Sequence, residues 1–363
     1  MQDLIPGLPD EIARDCLLRV PYEAFRTVRS VCRLWKQELE SPSFHRLRKS
    51  SGLSRPLVAL AQADPAFSSG GPAQKYAASA TPSYRLVLFS PTTGTWVSLP
   101  PIPVLPHGLP LFCQIAAVGR ELVVIGGWDP DTWAASDGVY VYNLESASWR
   151  RGARMPAPRR SFFACAASPD GDRRVFVAGG HDEEKNALKS AMAYDVARDA
   201  WVPLPDMARE RDECKGVFLR GTFHVISGYA TQAQGQFGRS TEAFDAAAWK
   251  WGPVEENVLE GSTCPRMCVA GGDGRLYACS AAGRVAVRGA AGGWRAVAEV
   301  PEDARVAPQL LAWDRELMVM GSGCHGGAQA CYILDLNGMT TWHKMEVPPE
   351  YSGHVPAGCC LEI

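Results

Sequence analysis

The sequence predicts a mainly β chain, a ring of six four-stranded blades preceded by a small all-α module, and three observations predict it. After Ser54 a hydrophobic run ending in small residues recurs along the chain, and in the plain copies a tryptophan follows about 20 residues later. The first 48 residues instead carry apolar side chains at spacings of three and four. The segment from Gly353 to Ile363 is strand-like and belongs to no repeat.

The helical elements come first. Pro9 suits the first turn of a helix, Asp10 and Glu11 favour its positive end, and Ile12, Cys16 and Val20 recur on one face that Leu17 and Leu18 widen. Pro21 stops this helix, and Phe25, Val28, Val31, Cys32, Trp35 and Leu39 give a second apolar stripe. A segment of about 40 residues rarely buries enough surface to fold stably alone, so these apolar groups imply docking on the downstream domain or on an external partner. A helical cap packed on the main domain is the simpler alternative.

The repeats follow. Leu122-Val123-Val124-Ile125-Gly126-Gly127 precedes Tyr142 and Trp149, Val175-Phe176-Val177-Ala178-Gly179-Gly180 precedes Tyr194 and Trp201, and Phe223-His224-Val225-Ile226-Ser227-Gly228 precedes Phe244 and Trp251. Each aromatic pair is seven residues apart. Weaker copies lead to Val287 and Trp294, to Leu334 and Trp342, and, from Pro56-Leu57-Val58, to Phe89 and Trp96. Six copies predict six blades that are stable only as a ring, with the glycines allowing close strand approach and the aromatic pairs packing between blades. Tight connections are expected at Pro91 to Gly94, Leu144 to Ala147, Val196 to Asp199 and Asn337 to Met339.

Inner strands are expected at Leu111 to Val118, Phe162 to Ala167, Lys215 to Leu219, Met267 to Gly271 and Gln309 to Trp313. Five such strands serve six blades, so the terminal segment, residues 354 to 363, is expected to supply the sixth. It would lie beside residues 57 to 62 and remove an exposed sheet edge.

Composition excludes several classes of function. The 363 residues allow one small module and one large domain, and 46% hydrophobic content suffices for a core. A net charge of −2 without a basic cluster argues against nucleic acid and anionic membrane. No stretch nears the roughly 18 apolar residues that span a bilayer, and Asp3 and Pro6 stand where a secretory signal would be basic and then apolar. A soluble intracellular chain, cytoplasmic or nuclear, is therefore expected. Its twelve cysteines read as reduced thiols without disulfides, and Cys113, Cys165, Cys214, Cys268 and Cys359 fall on or beside inner strands where small side chains fit.

No cofactor is expected. Cys264-Pro265-Arg266-Met267-Cys268 lacks a second Cys or His pair at zinc spacing. Gly321-x-Gly323-x-x-Gly326 leads into a strand and opens no helix that could hold a pyrophosphate. None of the seven histidines forms a metal-binding pair and no Gly-x-Ser-x-Gly turn is present, so the chain reads as a non-enzyme.

Strand polarity locates a recognition surface. Residues entering the inner strand and residues leaving the next, antiparallel strand share one rim of the ring. The entering side has His107, Arg159, Arg160, Arg211, Asp212, Glu213 and Arg266; the leaving side has Trp128, Asp129, His181, Asp182, Tyr229 and His325. Arg supplies bidentate donors for carboxylates and aromatics supply contact area, so this rim suits a protein target better than a metabolite, unless its members only pair among themselves. Ala63 to Ser83, rich in Ala, Ser, Pro and Gly, is expected as a long loop on the same rim.

Specific motifs carry a family resemblance. Leu8-Pro9-Asp10-Glu11-Ile12, Ser30-Val31-Cys32-Arg33-Leu34-Trp35-Lys36 and Ser41-Pro42-Ser43-Phe44 resemble an F-box, and the Gly-Gly, Tyr-x6-Trp units resemble kelch repeats. The fold implied is a six-bladed kelch β-propeller, residues 57 to 363, joined through a linker at 49 to 56 to an F-box at 1 to 48. Together with Arg160-Ser161-Phe162-Phe163, Gly179-Gly180-His181-Asp182 and Arg209-Glu210-Arg211-Asp212-Glu213-Cys214, the whole chain resembles the plant kelch-repeat F-box proteins, including the kiss-me-deadly group. Departures lie at Ala63 to Ser83 and at the Ala- and Gly-rich Ala281 to Trp294.

The resemblance implies the substrate-recognition subunit of an SCF ubiquitin ligase. Leu8, Pro9, Ile12, Leu17, Leu18, Val20, Val31, Cys32 and Trp35 would bind a Skp1-like adaptor, and through it cullin-1. The rim would bind a target for proteasomal degradation, phenylalanine ammonia-lyase or a type-B cytokinin response regulator. The alternative is a kelch scaffold that sequesters its partner without assembling a ligase.

Overall fold

The computed structural model describes residues 3–65, 83–168, 172–260, 263–290, 292–338 and 341–363. Four helices open the chain: α1 (Asp10–Leu18), α2 (Phe25–Val28), α3 (Arg33–Leu39) and α4 (Pro42–Ser50). Extended Pro9 leads into α1, Cys32 Sγ accepts the Trp35 amide at 3.5 Å to start α3, and Ser41 Oγ accepts the Phe44 amide at 3.1 Å to start α4. Their core is Leu17, Leu18, Phe25, Leu39 and Phe44. Arg48 lies inside it, its guanidinium donating to the carbonyls of Val20 at 2.9 Å and Leu53 at 3.2 Å and stacking over Phe25. No helix among the described residues is long and apolar enough to cross a membrane.

Six four-stranded antiparallel sheets follow. Blade 2 is typical, running from the inner strand Gln114–Val118 through Glu121–Ile125 and Val139–Asn143 to the outer strand Ser148–Arg151. Blade 1 is assembled from both ends of the chain. The strand Ala357–Glu362 pairs antiparallel with Pro56–Ala63, Ala61 opposite Ala357 and Pro56 opposite Glu362, so the edge of Pro56–Ala63 is covered.

The repeating tryptophan bolts the ring together. Trp149 donates from Nε1 to the carbonyl of Pro100, Trp201 to Ala153, Trp251 to Pro205, Trp294 to Val258 and Trp342 to Glu299, each reaching the chain leaving the previous blade. Trp96 completes the circuit by donating to Glu346 behind blade 6 at 3.0 Å. The aromatic partners lie directly across the outer strand pair, with Tyr142 opposite Trp149 and ring centres 5.0 Å apart. Hydrophobic clusters fill all six seams between neighbouring blades, which is why no blade is a folding unit by itself.

Four of the five inner strands expected before a repeat run differ from the expected bounds, that of blade 6 by starting earlier, at Val306, with a register slip between Val306 and Gln309. Those of blades 2 and 3 start only at Gln114 and Ala164, because Phe112 and Phe162 adopt left-handed backbone at φ 58° and 54° and turn the chain before the ladder begins. Blade 5 starts earlier, at Thr263, and its register slips between Thr263 and Cys268. Glycine is needed at the rim: a Cβ on Gly127 would lie 2.6 Å from the Leu111 carbonyl oxygen, and one on Gly180 2.3 Å from that of Ser161. The expected loop from Ala63 to Ser83 falls mostly outside the described residues.

The helices pack on the end of the ring opposite this rim, against the turn from Leu144 to Ala147. Tyr22 donates to the Leu144 carbonyl at 3.3 Å and touches both the helical core and the blade 1–blade 2 cluster. Arg29 donates to the Glu145 carbonyl at 3.3 Å, while the Glu145 carboxylate meets His45 at 3.2 Å and Arg120 at 2.6 Å. Burial raises the pKa of the Glu145 carboxyl despite these cations.

Candidate functional site

Two surfaces at opposite ends of the molecule carry exposed groups that the fold does not need. The first is on the helices. Leu8, Ile12 and Val31 are 38%, 52% and 60% exposed, and Pro9 and Cys32 are exposed beside them in the chain. Exposed aliphatic groups on so small a module make it a candidate docking surface. The other residues of the sequence-derived set sit behind it. Leu17 and Leu18 are buried, Val20 packs on the same core, and half-buried Trp35 donates from its indole to the Leu4 carbonyl at 2.7 Å.

The second surface is the mouth of the central channel. The inner strands enclose a cavity of about 410 Å³, lined by small side chains and by cysteines including Cys113, Cys165 and Cys214. Burial pushes the Cys113 and Cys165 thiols up to about 12 and Cys214 to about 11, so these thiols stay protonated at neutral pH. Among the described residues no group of three His, Cys, Asp or Glu side chains could hold a metal ion.

Around the mouth, the sequence-derived rim residues divide into three kinds. Arg160 and Arg211 are internal latches. Arg160 donates to the carbonyls of Gly179 and Ser190, and Arg211 to Glu242, to the Ser227 carbonyl and to Ser240. Both are buried, so neither offers a guanidinium to a target; they hold the rim loop of their own blade instead. Asp129 and Asp182 organise loops. Asp129 accepts from the Thr132 amide and hydroxyl, which holds its carboxyl below the usual range, and Asp182 accepts from the Glu184 and Asn186 amides. Asp212 is buried and pairs with His181 Nδ1 at 2.9 Å.

Of the rest, Glu213 and Arg266 line the mouth and the others lie on the rim around it. Trp128 is half-buried and packs edge-on against Phe112 and Phe162, whose ring also meets His181 at 5.6 Å. Tyr229 donates its hydroxyl to Glu213 at 2.9 Å, and burial with this bond raises the phenol's pKa. Arg266 reaches Glu213 at 2.7 Å and lies 5.5 Å from the Phe162 ring centre. Arg159 is exposed and loosely paired with Asp137 and Glu183. His107 and His325 are exposed.

Reasoning from strand polarity placed Trp128 and Tyr229 on the rim but missed its exposed Phe and Trp side chains. The exposed Phe and Trp side chains among the described residues are Phe112, Trp133 and Phe237, and all three lie on loops of this rim. One signal could have found two residues of the mouth. Leu111-Phe112-Cys113, Ser161-Phe162-Phe163 and Asp212-Glu213-Cys214 occupy the same position in successive repeats, and Phe112, Phe162 and Glu213 share left-handed backbone at φ 58°, 54° and 48°.

Comparison with known proteins finds family matches in both the helical segment and the ring. The F-box domain family matches residues 5–47, and the Kelch motif family matches residues 111–156 and 159–208. F-box/kelch-repeat protein At1g80440 of Arabidopsis thaliana is 47% identical, covering 99% of this chain and all of its own length. F-box/kelch-repeat protein At1g15670 of the same plant is 45% identical over 99% of this chain and all of its own. F-box/kelch-repeat protein SKIP20, also from Arabidopsis thaliana, is 38% identical over 70% of this chain and 66% of its own. The chain therefore belongs to the F-box/kelch-repeat proteins, with the architecture of a substrate-recognition adaptor of an SCF ubiquitin ligase.

Proposed function

We propose that residues 1–48 form the adaptor-binding module, 49–56 the linker and 57–363 the target-binding ring. A Skp1-like adaptor, and through it cullin-1, seats on Leu8, Pro9, Ile12, Val31 and Cys32, while Leu17, Leu18, Val20 and Trp35 hold those groups in place from behind. The target sits on the opposite end, against Trp128, Trp133, Phe112 and Glu213. The observation that carries this reading is the separation of two solvent-facing apolar groups, aliphatic on the helices and aromatic on the mouth, by the full depth of the blades. The chain performs no chemistry in this account; it raises the local concentration of target lysines near the ligase's ubiquitin-loaded enzyme.

The target class follows from the family resemblance: phenylalanine ammonia-lyase, a type-B response regulator, or both. Degradation would then lower phenylpropanoid synthesis or cytokinin signalling, in the cytoplasm, the nucleus or both. Co-purification tests each part. The tagged full-length chain is expected to retain a Skp1-like adaptor and, with the proteasome blocked, one of these two proteins. Retention of target without adaptor would favour a sequestering scaffold.

A further inference from the structure

The channel mouth holds a cation cage that the protein fills with its own arginine. Glu213, at the entrance of blade 4, presents a carboxylate that Tyr229 fixes through its hydroxyl at 2.9 Å. Phe162, at the entrance of blade 3, presents an aromatic face that Phe112, Trp128 and His181 hold from the sides. Carboxylate and ring together form the two walls that a guanidinium prefers, ion pair on one side and π face on the other. Arg266 takes that place, 2.7 Å from Glu213 and 5.5 Å from the Phe162 centre.

Two features make Arg266 a displaceable occupant. It comes from blade 5 and reaches past blade 4 to a ring on blade 3, from a stretch where the strand register is broken between Thr263 and Cys268. Its side chain is 56% exposed although both of its partners are anchored. An exposed ion pair of this kind contributes little to stability, so exchanging it costs the fold little. The cage walls do not depend on it.

We propose that the Phe162–Glu213–Tyr229 cage is the anchor point for an arginine side chain of the target, with Arg266 as its competitor in the free protein. This rests on the reading of the rim as the target surface and adds the chemistry of the residue read there. Arg266 reports the fit, because the guanidinium it places in the cage is the group the target would bring. Competition from within the chain lowers apparent affinity by the fraction of molecules in which the cage is filled.

The test uses the full-length chain bound to its Skp1-like adaptor, titrated with N-acetylarginine amide and followed by NMR. Arg266→Ala is expected to bind this probe about 10-fold more tightly than the wild type. Adding Glu213→Gln, which keeps an acceptor for Tyr229 but removes the charge, is expected to abolish the gain. Thermal melts of both variants check that the ring is intact. Equal binding by wild type and Arg266→Ala, or a gain that survives Glu213→Gln, would overturn the proposal. Target capture separates it from the broader reading. If Phe112→Ala and Trp133→Ala leave capture unchanged, the rim itself is not the target surface. If they abolish capture while Glu213→Gln does not, or if Arg266→Ala weakens it, the rim stands and the arginine cage falls.

Discussion

The helical end and the channel mouth both leave large side chains in water, but of different kinds. At the helical end the exposed groups are aliphatic, Leu8, Ile12 and Val31, on short helices whose own core is complete without them. At the mouth they are mainly aromatic, Phe112, Trp133 and Phe237 with one aliphatic, Val104, beside Glu213, Arg266 and His325 on loops held by left-handed residues and buried arginines. Aliphatic contact is non-directional and scales with area, which suits one constant partner. Aromatics among fixed charges discriminate by geometry, which suits selection among targets. In the proposed function, the helical end carries the family's common role and the mouth its choice of target.

The largest expected effect comes from the buried latches that shape the mouth. Arg211→Met leaves Glu242 charged, fully buried and without its guanidinium partner, and a loss of about 3–5 kcal/mol is expected in chemical denaturation. An effect below about 1 kcal/mol would mean that Arg211 is a surface contact after all. At the other end, Ile12→Asp is expected to weaken adaptor binding by about 2 kcal/mol or more, roughly 30-fold by calorimetry, with an unchanged melting temperature because Ile12 is 52% exposed. Trp133→Ala is expected to reduce target capture by about 1–2 kcal/mol and leave adaptor binding intact.

The smallest effect concerns two buried thiols, Cys113 on the channel wall and Cys331 in the seam between blades 6 and 1, and depends on pH. Cys113 and Cys331 are held at about 12 by burial, against 9.0 for an ordinary thiol. The folded chain therefore keeps protons that the unfolded chain releases. This stability is complete below about pH 8 and is lost as pH rises through 9 toward 12, the first loss being about 0.3 kcal/mol per thiol between pH 8 and pH 9. Denaturation midpoints of Cys113→Ser and wild type across that interval measure it. Native labelling at pH 8 should meanwhile reach Cys16, Cys32 and Cys324, which are exposed, before Cys113 or Cys331.

Much of this fold was legible because it repeats. The Tyr-x6-Trp spacing is set by a hairpin that places the two rings directly across from each other, as Tyr142 and Trp149 show, and the Gly-Gly pairs mark strands that pass within contact of a neighbouring backbone. The helical module was legible through its Pro and Ser punctuation. The site was read less well, because strand polarity tells which end a residue occupies and not which way its side chain turns. Arg160 and Arg211 sit at the correct end and point inward; Phe112 and Phe162 look like core residues in sequence and point outward, since a left-handed backbone reverses the side chain's direction. On α1 the wide apolar stripe is likewise divided, Leu17 and Leu18 being buried while Ile12 and Cys16 are exposed.

The central claim is that adaptor and target engage separate ends of one molecule. A single capture experiment tests it directly, with the tagged chain offered a Skp1-like adaptor and the target together and both quantified from the same beads. Ile12→Asp should retain target and lose adaptor, and Trp133→Ala should retain adaptor and lose target. A folded variant at one end that removes both proteins, or neither, would contradict the account.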